Sequence, residues 1–230
     1  MKTFYEGHDK AYQNRKASGA QGWDNSEKGY AEFEAEVKSM LSKGNAPLSG
    51  KLLELGCGAG NMTVWLSGLG YDTYGIDIAP TAIEWARERA EKLGVAVSLT
   101  LGNVIELAEF KDSFFDFVFD SHCLHCIIGP DRLKLLKSIH RVLKPNGYLL
   151  INTMCGPVKI DEFHKLDNAN TFDPASKCAV SKSGISSRYF GDPEDIFQEL
   201  KTSGFELLSH EIKTEENGII HYLLADARKK

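Results

Sequence analysis

The stretch Leu52-Leu53-Glu54-Leu55-Gly56-Cys57-Gly58-Ala59-Gly60-Asn61 decides the fold, because an apolar run passes directly into glycines at alternate positions and then into a helical pattern. Glycine lacks the side chain that would keep a ligand away from the backbone, and the amides at a helix start attract polar or anionic groups. The stretch therefore predicts a buried strand, a cofactor-binding turn and a helix. A dinucleotide fingerprint requires G-x-G-x-x-G, but Asn61 stands where its last glycine would be.

Strand and helix patterns alternate on both sides of this turn. The predicted strands are 51–55, 71–77, 95–101, 114–120 and 148–152, and the predicted helices are 27–41, 61–67, 80–93 and 131–143. This alternation predicts a parallel sheet with right-handed crossovers. A helix over 192–202 and two extended segments, 205–212 and 219–225, then predict a terminal hairpin with one antiparallel strand. The intervening segment 154–190 follows neither period and is interpreted as an insertion.

Polar residues stand where three of these strands end. Asp77-Ile78 follows the second strand, Asn103-Val104 the third and Asp120-Ser121-His122 the fourth. Open α/β sheets bind ligands at the carboxyl ends of their strands, so these side chains are expected to share one site with the glycine turn.

The sequence Glu54-x-Gly56-x-Gly58-x-Gly60, together with Asp77, Gly102-Asn103-Val104 and the run from Leu124-His125 to Arg141-Val142-Leu143-Lys144-Pro145-Asn146-Gly147, resembles the class I S-adenosylmethionine-dependent methyltransferases over residues 52–152. The resemblance implies a Rossmann-like, seven-stranded, mostly parallel sheet with helices on both faces and a C-terminal antiparallel hairpin. It also implies methyl transfer to a small molecule with S-adenosylmethionine as cofactor and S-adenosylhomocysteine as product. The cofactor-binding residues that it implies are Trp23, Glu54, Gly56, Cys57, Gly58, Gly60, Asp77, Ile78, Asn103, Val104, Asp120, Ser121 and His122.

The resemblance also implies a particular role for three of these residues. The Asp77 carboxylate would accept hydrogen bonds from both ribose hydroxyls, although an Asp before Ala79-Pro80 also suits a helix cap. Ile78 would supply an apolar wall for adenine. Asn103 stands where the family often has Asp, and its amide oxygen would still recognise the adenine amino group.

The N-terminal stretch Gly19-Ala20-Gln21-Gly22-Trp23-Asp24 resembles the lid of thiopurine-methyltransferase-like enzymes, which folds over the cofactor. Trp23 and Tyr12 are therefore candidates for lid residues. The alternative is that both rings pack the N-terminal helix onto the sheet.

The acceptor side is less specific. His122 and His125 are candidate bases, because a neutral imidazole takes a proton from a hydroxyl, thiol or amine; alternatively, His125 orients the loop and His122 packs against the cofactor. Arg188 and Tyr189 are candidate substrate residues for an anionic or planar acceptor, unless Arg188 is solvated or salt-bridged.

Cys123 and Cys126 form a C-x-x-C pair, but no second such pair follows, so we predict buried thiols and no metal site. Binding of a soft metalloid acceptor by these thiols is the remaining alternative.

Size and charge bound the remaining expectations. A chain of 230 residues predicts one domain over 1–230, with a lid and helix in 1–46, a cofactor core in 51–153, an insertion over the acceptor in 154–190 and a final helix and hairpin in 191–230. A net charge of -5 gives a nucleic-acid partner no support. We expect no membrane segment, a cytoplasmic location and reduced cysteines, and the oligomeric state stays open. The rival functions are a nicotinamide-dependent oxidoreductase and a non-catalytic S-adenosylmethionine-binding protein.

Overall fold

The computed structural model describes residues 3–23 and 26–230. Its helices are α1 (Glu6–Ala17), α2 (Glu27–Leu41), α3 (Asn61–Ser67), α4 (Pro80–Leu93), α5 (Pro130–Val142), α6 (Phe163–Leu166) and α7 (Pro193–Thr202). Its strands are β1 (Gly50–Leu55), β2 (Tyr71–Asp77), β3 (Ser98–Leu101), β4 (Phe115–Ser121), β5 (Leu143–Cys155), β6 (Asn170–Asp173), β7 (Cys178–Ser181), β8 (Ser186–Tyr189), β9 (Phe205–Thr214) and β10 (His221–Lys229).

Seven strands form the main sheet, in the order β3-β2-β1-β4-β5-β10-β9. Neighbouring strands from β3 to β5 are parallel, and β10 runs antiparallel to both β5 and β9. The predicted seven-stranded, mostly parallel sheet with a C-terminal hairpin is confirmed. Strands β2 and β3 are added on one side of β1, whereas β4 and β5 are added on the other, so the strand order switches between β1 and β4. Open α/β sheets bind ligands in the crevice at such a switch point.

Helices cover both faces of this sheet. Leu52 of β1 packs in one apolar cluster with Val37 of α2, whereas Leu53 packs in a second cluster with Leu135 of α5. Successive side chains of a strand point to opposite faces, so β1 is buried on both sides. This double burial explains why Leu52, Leu53 and Leu55 do not alternate with exposed polar residues.

The sequence pattern does not predict the N-terminal helix α1. Among the residues of this helix only Tyr12 is buried, so the helix has no apolar stripe. Contacts with the core hold the segment in place instead. The Thr3 hydroxyl donates to Asp131 Oδ2 at 3.1 Å, and the Thr81 amide of α4 donates to Asp9 Oδ1 at 2.8 Å. Since α4 has no capping side chain of its own, Asp9 supplies the acceptor for one of its unpaired amides.

The segment 154–190 differs from the expectation of an insertion without periodic structure. It contains α6 and a three-stranded antiparallel sheet in the order β6-β7-β8. This segment packs in an apolar cluster that is separate from those of the main sheet and includes Phe163, Phe190 and Ile220. Strands of four residues are too short to show a two-residue alternation in the sequence, which is why the pattern gives no signal.

The predicted boundaries of two other strands are also wrong. Strand β5 begins at Leu143 and passes through Pro145-Asn146-Gly147, where the sequence pattern predicts a break, and the pairing with β4 shifts register opposite this stretch. Strand β3 is confined to Ser98–Leu101.

Candidate functional site

A cavity of about 1140 Å³ opens at the carboxyl ends of the central strands. Its walls include the glycine turn after β1, the loop after β4, helix α1 and the segment 164–188. Pockets for single small ligands commonly measure about 300–1,000 Å³. The cavity therefore has room for a cofactor and a second small molecule.

Most of the predicted cofactor residues line this cavity. They are Trp23, Glu54, Gly56, Cys57, Gly58, Asp77, Ile78, Asn103, Val104, Ser121 and His122. Gly60 and Asp120 do not line it. The structure therefore brings eleven of the thirteen predicted positions, from five stretches of the chain, to one cavity.

The three glycines of the turn have different structural roles. Gly56 and Gly58 have φ values of +63° and +52° and face the cavity. A Cβ on Gly56 would lie 3.0 Å from Cys123 Cβ, and one on Gly58 would overlap the Tyr12 hydroxyl. Gly60, with φ of +75°, instead faces α4. It therefore allows helix packing, while the first two keep the backbone accessible.

Asp77 binds the backbone of the turn, and its carboxylate can still accept hydrogen bonds from a ligand. Its Oδ2 accepts from the Gly58 amide at 2.9 Å, and its Oδ1 accepts from the Ala79 amide at 2.8 Å. Burial raises the pKa of Asp77, and the same amide hydrogen bonds oppose that shift. Because each carboxylate oxygen accepts more than one hydrogen bond, capping and ribose binding are compatible at this residue.

Glu54 and Cys57 present neutral groups to the turn. The Glu54 carboxyl is buried, accepts a hydrogen bond from the Thr63 hydroxyl, and has its pKa raised to about 8 by burial. Burial likewise raises the pKa of the Cys57 thiol. At neutral pH, Glu54 is mostly protonated and Cys57 is a thiol.

The loop after β3 carries the third polar signal. Asn103 Oδ1 accepts from the Ile105 amide at 2.9 Å, and the adjoining Gly102 amide donates to the Asp77 carbonyl at 3.0 Å. Asn103 and Val104 are thereby fixed beside Asp77 in the cavity wall.

Asp120 lies beneath the loop after β4. Its Oδ1 accepts from the amides of Cys123 at 3.2 Å and Leu124 at 2.8 Å, which positions the loop. Burial raises the pKa of Asp120 to about 7. Asp120 does not line the cavity, and its direct role in cofactor binding stays a prediction from the sequence.

His122 projects from a strained position at the end of β4. Its φ is +62°, a region that non-glycine residues seldom occupy. The ring stacks on Phe33 with centroids 4.7 Å apart and meets Tyr222 edge-on at 5.5 Å. Burial lowers its pKa to about 4, and the nearby Asn152 amide partly opposes this shift. His122 is therefore neutral at pH 7.

His125 is held in one tautomer by the backbone. Its Nδ1 lies 3.4 Å from the Met154 amide nitrogen, which is a donor only. Nδ1 therefore accepts, and in the neutral ring Nε2 carries the proton. Burial lowers the pKa of His125 well below its ordinary value, so the ring is neutral.

The two predicted substrate residues separate in the structure. Arg188 lines the cavity, where its Nη1 lies 3.3 Å from Asp167 Oδ2. Tyr189 does not line it, because its ring packs beneath the guanidinium of Arg132 at 4.3 Å. The pairing of Arg132 with this ring thus removes Tyr189 from the candidate acceptor site.

The aromatic residues of the N-terminal segment cover the glycine turn. Trp23 lines the cavity with 41% of its surface exposed, and its ring lies 5.3 Å from that of Tyr12. Asp24, the last residue of the lid-like stretch, lies outside the described residues. His8 of α1 also lines the cavity, and burial lowers its pKa against the opposing effect of Asp77.

The cavity residues that sequence reasoning missed include His8, Phe33, Asn152 and Tyr222. The spacing of His8 and Tyr12, four residues apart, was the available signal for a helix face over the turn. Phe33 and Tyr222 come from distant parts of the chain, and no local pattern links them to His122.

Comparison with known proteins identifies relatives of the central part of the chain. Residues 53–151 match the model of the Methyltransferase domain family. The ubiquinone biosynthesis O-methyltransferase of Xanthomonas axonopodis pv. citri is 30% identical over 47% of this chain and 44% of that protein. The chain spans less than half the length of the first curated relatives that it matches.

Two solved structures extend the comparison to most of the chain. The PH0226 protein of Pyrococcus horikoshii has a TM-score of 0.72 at 22% identity, with 90% of this chain and 93% of that chain covered. An S-adenosylmethionine-dependent methyltransferase of Methanosarcina mazei has a TM-score of 0.65 at 25% identity, with 82% and 96% covered. Across residues 3–23 and 26–230, none of the helices has the length and apolar character that crossing a membrane requires.

Proposed function

This chain belongs to the class I S-adenosylmethionine-dependent methyltransferases, and we propose that it transfers a methyl group from this cofactor to a small-molecule acceptor. The observation that carries the proposal is a single cavity that reaches both the glycine turn and the histidines after β4. One ligand would bind at the turn and the other beside the histidines.

The residues of the turn fit the cofactor. Gly56 and Gly58 leave open backbone where a Cβ would intrude, and each Asp77 oxygen has room for a further hydrogen bond to a ribose hydroxyl. Ile78 and Val104 offer apolar surface to the adenine ring of the cofactor. When bound, S-adenosylmethionine supplies a methyl group on a positively charged sulfur that is a good leaving group.

The protein's main task is to hold the two molecules in line. Such positioning contributes roughly 7–11 kcal/mol, whereas a general base contributes a factor of about 10²–10⁴. A cavity between the sheet and the segment 164–188 suits this task.

We assign different proton roles to the two histidines. His122 is neutral and can accept a proton from a hydroxyl, thiol or amine of the acceptor. His125 already carries its proton on Nε2, since Nδ1 accepts from Met154, and it would act as a hydrogen-bond donor. His122→Gln should therefore lower kcat by about 10²-fold or more, and His125→Gln should have a smaller effect.

The pH dependence separates the two roles. Because the pKa of His122 is about 4, the wild-type rate should stay constant between pH 6 and 8. A rate that rises through pH 6.5 would point to a base with an ordinary histidine pKa and would exclude His122 in this form.

Binding of the cofactor is the first test. Calorimetric titration with S-adenosylhomocysteine should show binding to the wild type and a loss of at least tenfold in affinity for Asp77→Ala. Asp72→Ala, an exposed aspartate on the same strand, is the matched control and should bind normally. An Asp77→Ala variant that binds as well as wild type would contradict the assignment.

Turnover is the second test, because a cofactor-binding protein without activity would pass the first. A screen of hydroxyl, amine and thiol acceptors that measures S-adenosylhomocysteine release should identify a substrate. We favour a small aromatic acceptor, in view of the relative named for ubiquinone biosynthesis and of the aromatic cavity wall. Arg188 would contact it. Cofactor binding without methyl release across the screen would favour the non-catalytic alternative.

The nicotinamide alternative is weaker, because Asn61 interrupts the dinucleotide fingerprint and the matched family is a methyltransferase domain. The single-domain organisation over 1–230, the cytoplasmic location and the lack of a nucleic-acid partner stay predictions from the sequence.

A further inference from the structure

Asn152 has a buried side-chain oxygen without a hydrogen-bond donor. The residue is 2% exposed and lines the cavity from β5, where it pairs with Ser121 of β4. Within residues 3–23 and 26–230, no group, the nearby His122 ring included, meets hydrogen-bonding distance and angle at its Oδ1. Buried carbonyl oxygens in folded proteins are almost always hydrogen-bonded, so an unpaired one in a cavity wall indicates an occupant that donates to it.

The wall around Asn152 is aromatic. Phe33, His122 and Tyr222 all line the same cavity, with the His122 ring lying between the other two. These rings come from α2, the loop after β4 and β10, so three separate elements contribute flat surfaces at one place. Aromatic walls of this kind favour a planar ligand, which stacks or packs edge-to-face on them.

The Lys and Arg side chains of the cavity wall are paired with carboxylates. The His122 and His125 rings are neutral because they are buried. Arg188 Nη1 lies 3.3 Å from Asp167 Oδ2, Lys213 Nζ lies 3.0 Å from Glu36 Oε1, and Lys165 Nζ lies 2.7 Å from Glu162 Oε2. A neutral ring with a hydrogen-bond donor matches these groups better than a carboxylate does.

We propose that this end of the cavity binds a planar aromatic or heteroaromatic acceptor that donates an O–H or N–H hydrogen bond to Asn152 Oδ1. The inference rests on the proposed methyl transfer, since it names the acceptor class for that site. Asn152 selects for the donor, and Phe33 and Tyr222 select for the flat ring. The proposal also gives a reason for a polar residue at this position of a buried strand, where an apolar one would avoid the cost of an unpaired oxygen.

Three probes test the proposal on protein saturated with S-adenosylhomocysteine. Indole donates one N–H bond, 1-methylindole has the same ring without a donor, and 1-methylindole-2-carboxylate adds an anion. Calorimetry should give indole an affinity roughly tenfold above 1-methylindole and above the carboxylate, because a buried oxygen is left unpaired by both. Asn152→Leu should abolish this preference, while the control Asn168→Leu, an exposed asparagine in the same cavity, should keep it.

The outcomes separate this proposal from the proposed function. Failure of the wild type to bind S-adenosylhomocysteine would refute methyl transfer itself. Normal cofactor binding with equal affinity for indole and 1-methylindole would overturn only the role of Asn152. So would a preference for indole that persists in Asn152→Leu, because that preference would be steric. If Asn152→Leu does not fold, Asn152→Ala replaces it. Tighter binding of the carboxylate would assign recognition to Arg188, and no binding of any probe would overturn the planar class.

Discussion

Gly58→Ala is the substitution that tests most directly how the N-terminal helix meets the cofactor turn. Gly58 has a φ of +52°, so an alanine there is in the left-handed region, which costs about 1–2 kcal/mol. The new Cβ would also overlap the Tyr12 hydroxyl and lie 3.2 Å from Tyr12 Cζ. Overpacking of this kind typically costs about 1–3 kcal/mol. The two effects together predict a loss of roughly 2–5 kcal/mol in the free energy of unfolding.

Two further variants divide that loss into its parts. Gly94 has a φ of +65° with no atom within 4 Å of the place that a Cβ would take, so Gly94→Ala measures the backbone cost alone, about 1–2 kcal/mol. Tyr12→Phe removes the overlapping hydroxyl. In that background Gly58→Ala should cost roughly 1–2 kcal/mol less than in the wild type, because residues in contact show coupling energies of about this size.

Urea unfolding of the four proteins in the Gly58 and Tyr12 cycle measures the coupling, and titration with S-adenosylhomocysteine provides a second readout. The Cβ stays in the turn whichever residue occupies position 12. We therefore expect the double variant to regain stability and not cofactor affinity. Equal losses for Gly58→Ala and Gly94→Ala would refute the close approach of Tyr12 to the turn.

Three other changes have outcomes that follow from the structure. Glu54→Gln removes a carboxyl whose pKa is raised to about 8 in the folded state. The wild type should therefore lose about 1.4 kcal/mol of stability per pH unit relative to Glu54→Gln as the pH rises from 5 to 8, because burying the ionised carboxylate is costly and the neutral amide does not titrate. Urea unfolding measures this difference, and parallel pH curves for the two proteins would contradict it. Asp9→Ala removes the acceptor for the Thr81 amide and should cost about 1 kcal/mol in thermal unfolding, whereas Asp9→Asn, which keeps an acceptor oxygen, should cost less. Arg132→Met breaks a buried ion pair in which Arg132 Nε and Nη2 bind the Glu199 carboxylate at 2.8 Å and 2.7 Å. The free energy of unfolding in urea should fall by about 3–5 kcal/mol, because Glu199 is left as an unpaired, largely buried charge. A loss below about 1 kcal/mol would show that the Glu199 carboxylate becomes hydrated in the variant.

The parts of the fold that the sequence predicts are those in which local pattern and tertiary role coincide. Strands β1 and β4 are buried on both faces, so apolar residues predominate in each, and each can be recognised without its neighbours. The glycine turn is similar, because the positive φ of Gly56 and Gly58 is a property of single residues. Asp77 and Asn103 follow from the strand ends. The cofactor half of the site was therefore largely predictable.

The acceptor half was not, for a physical reason that concerns distance along the chain. Phe33, His122 and Tyr222 meet only when α2 and β10 pack against the loop after β4, and none of the three lies in a pattern that names the others. Asn152 shows the same limit more sharply. In the sequence it is one polar residue at the end of an apolar strand. Only the structure reveals that its oxygen is buried and has no hydrogen-bond donor in the described part of the chain.

Helix α1 joins these two halves, and its sequence explains why it is both inconspicuous and well placed. It is held against α4 by the buried Tyr12 ring and by polar contacts, such as Thr81 to Asp9 and the exposed pair of Lys16 with Glu88 at 2.7 Å, rather than by an apolar stripe. Polar contacts to α4 leave the other side of the helix available to the cavity, where His8 and Tyr12 face the glycine turn. An apolar helix would bury that surface in the core. The lack of periodicity that hides α1 from sequence analysis is thus a consequence of its place over the cofactor turn.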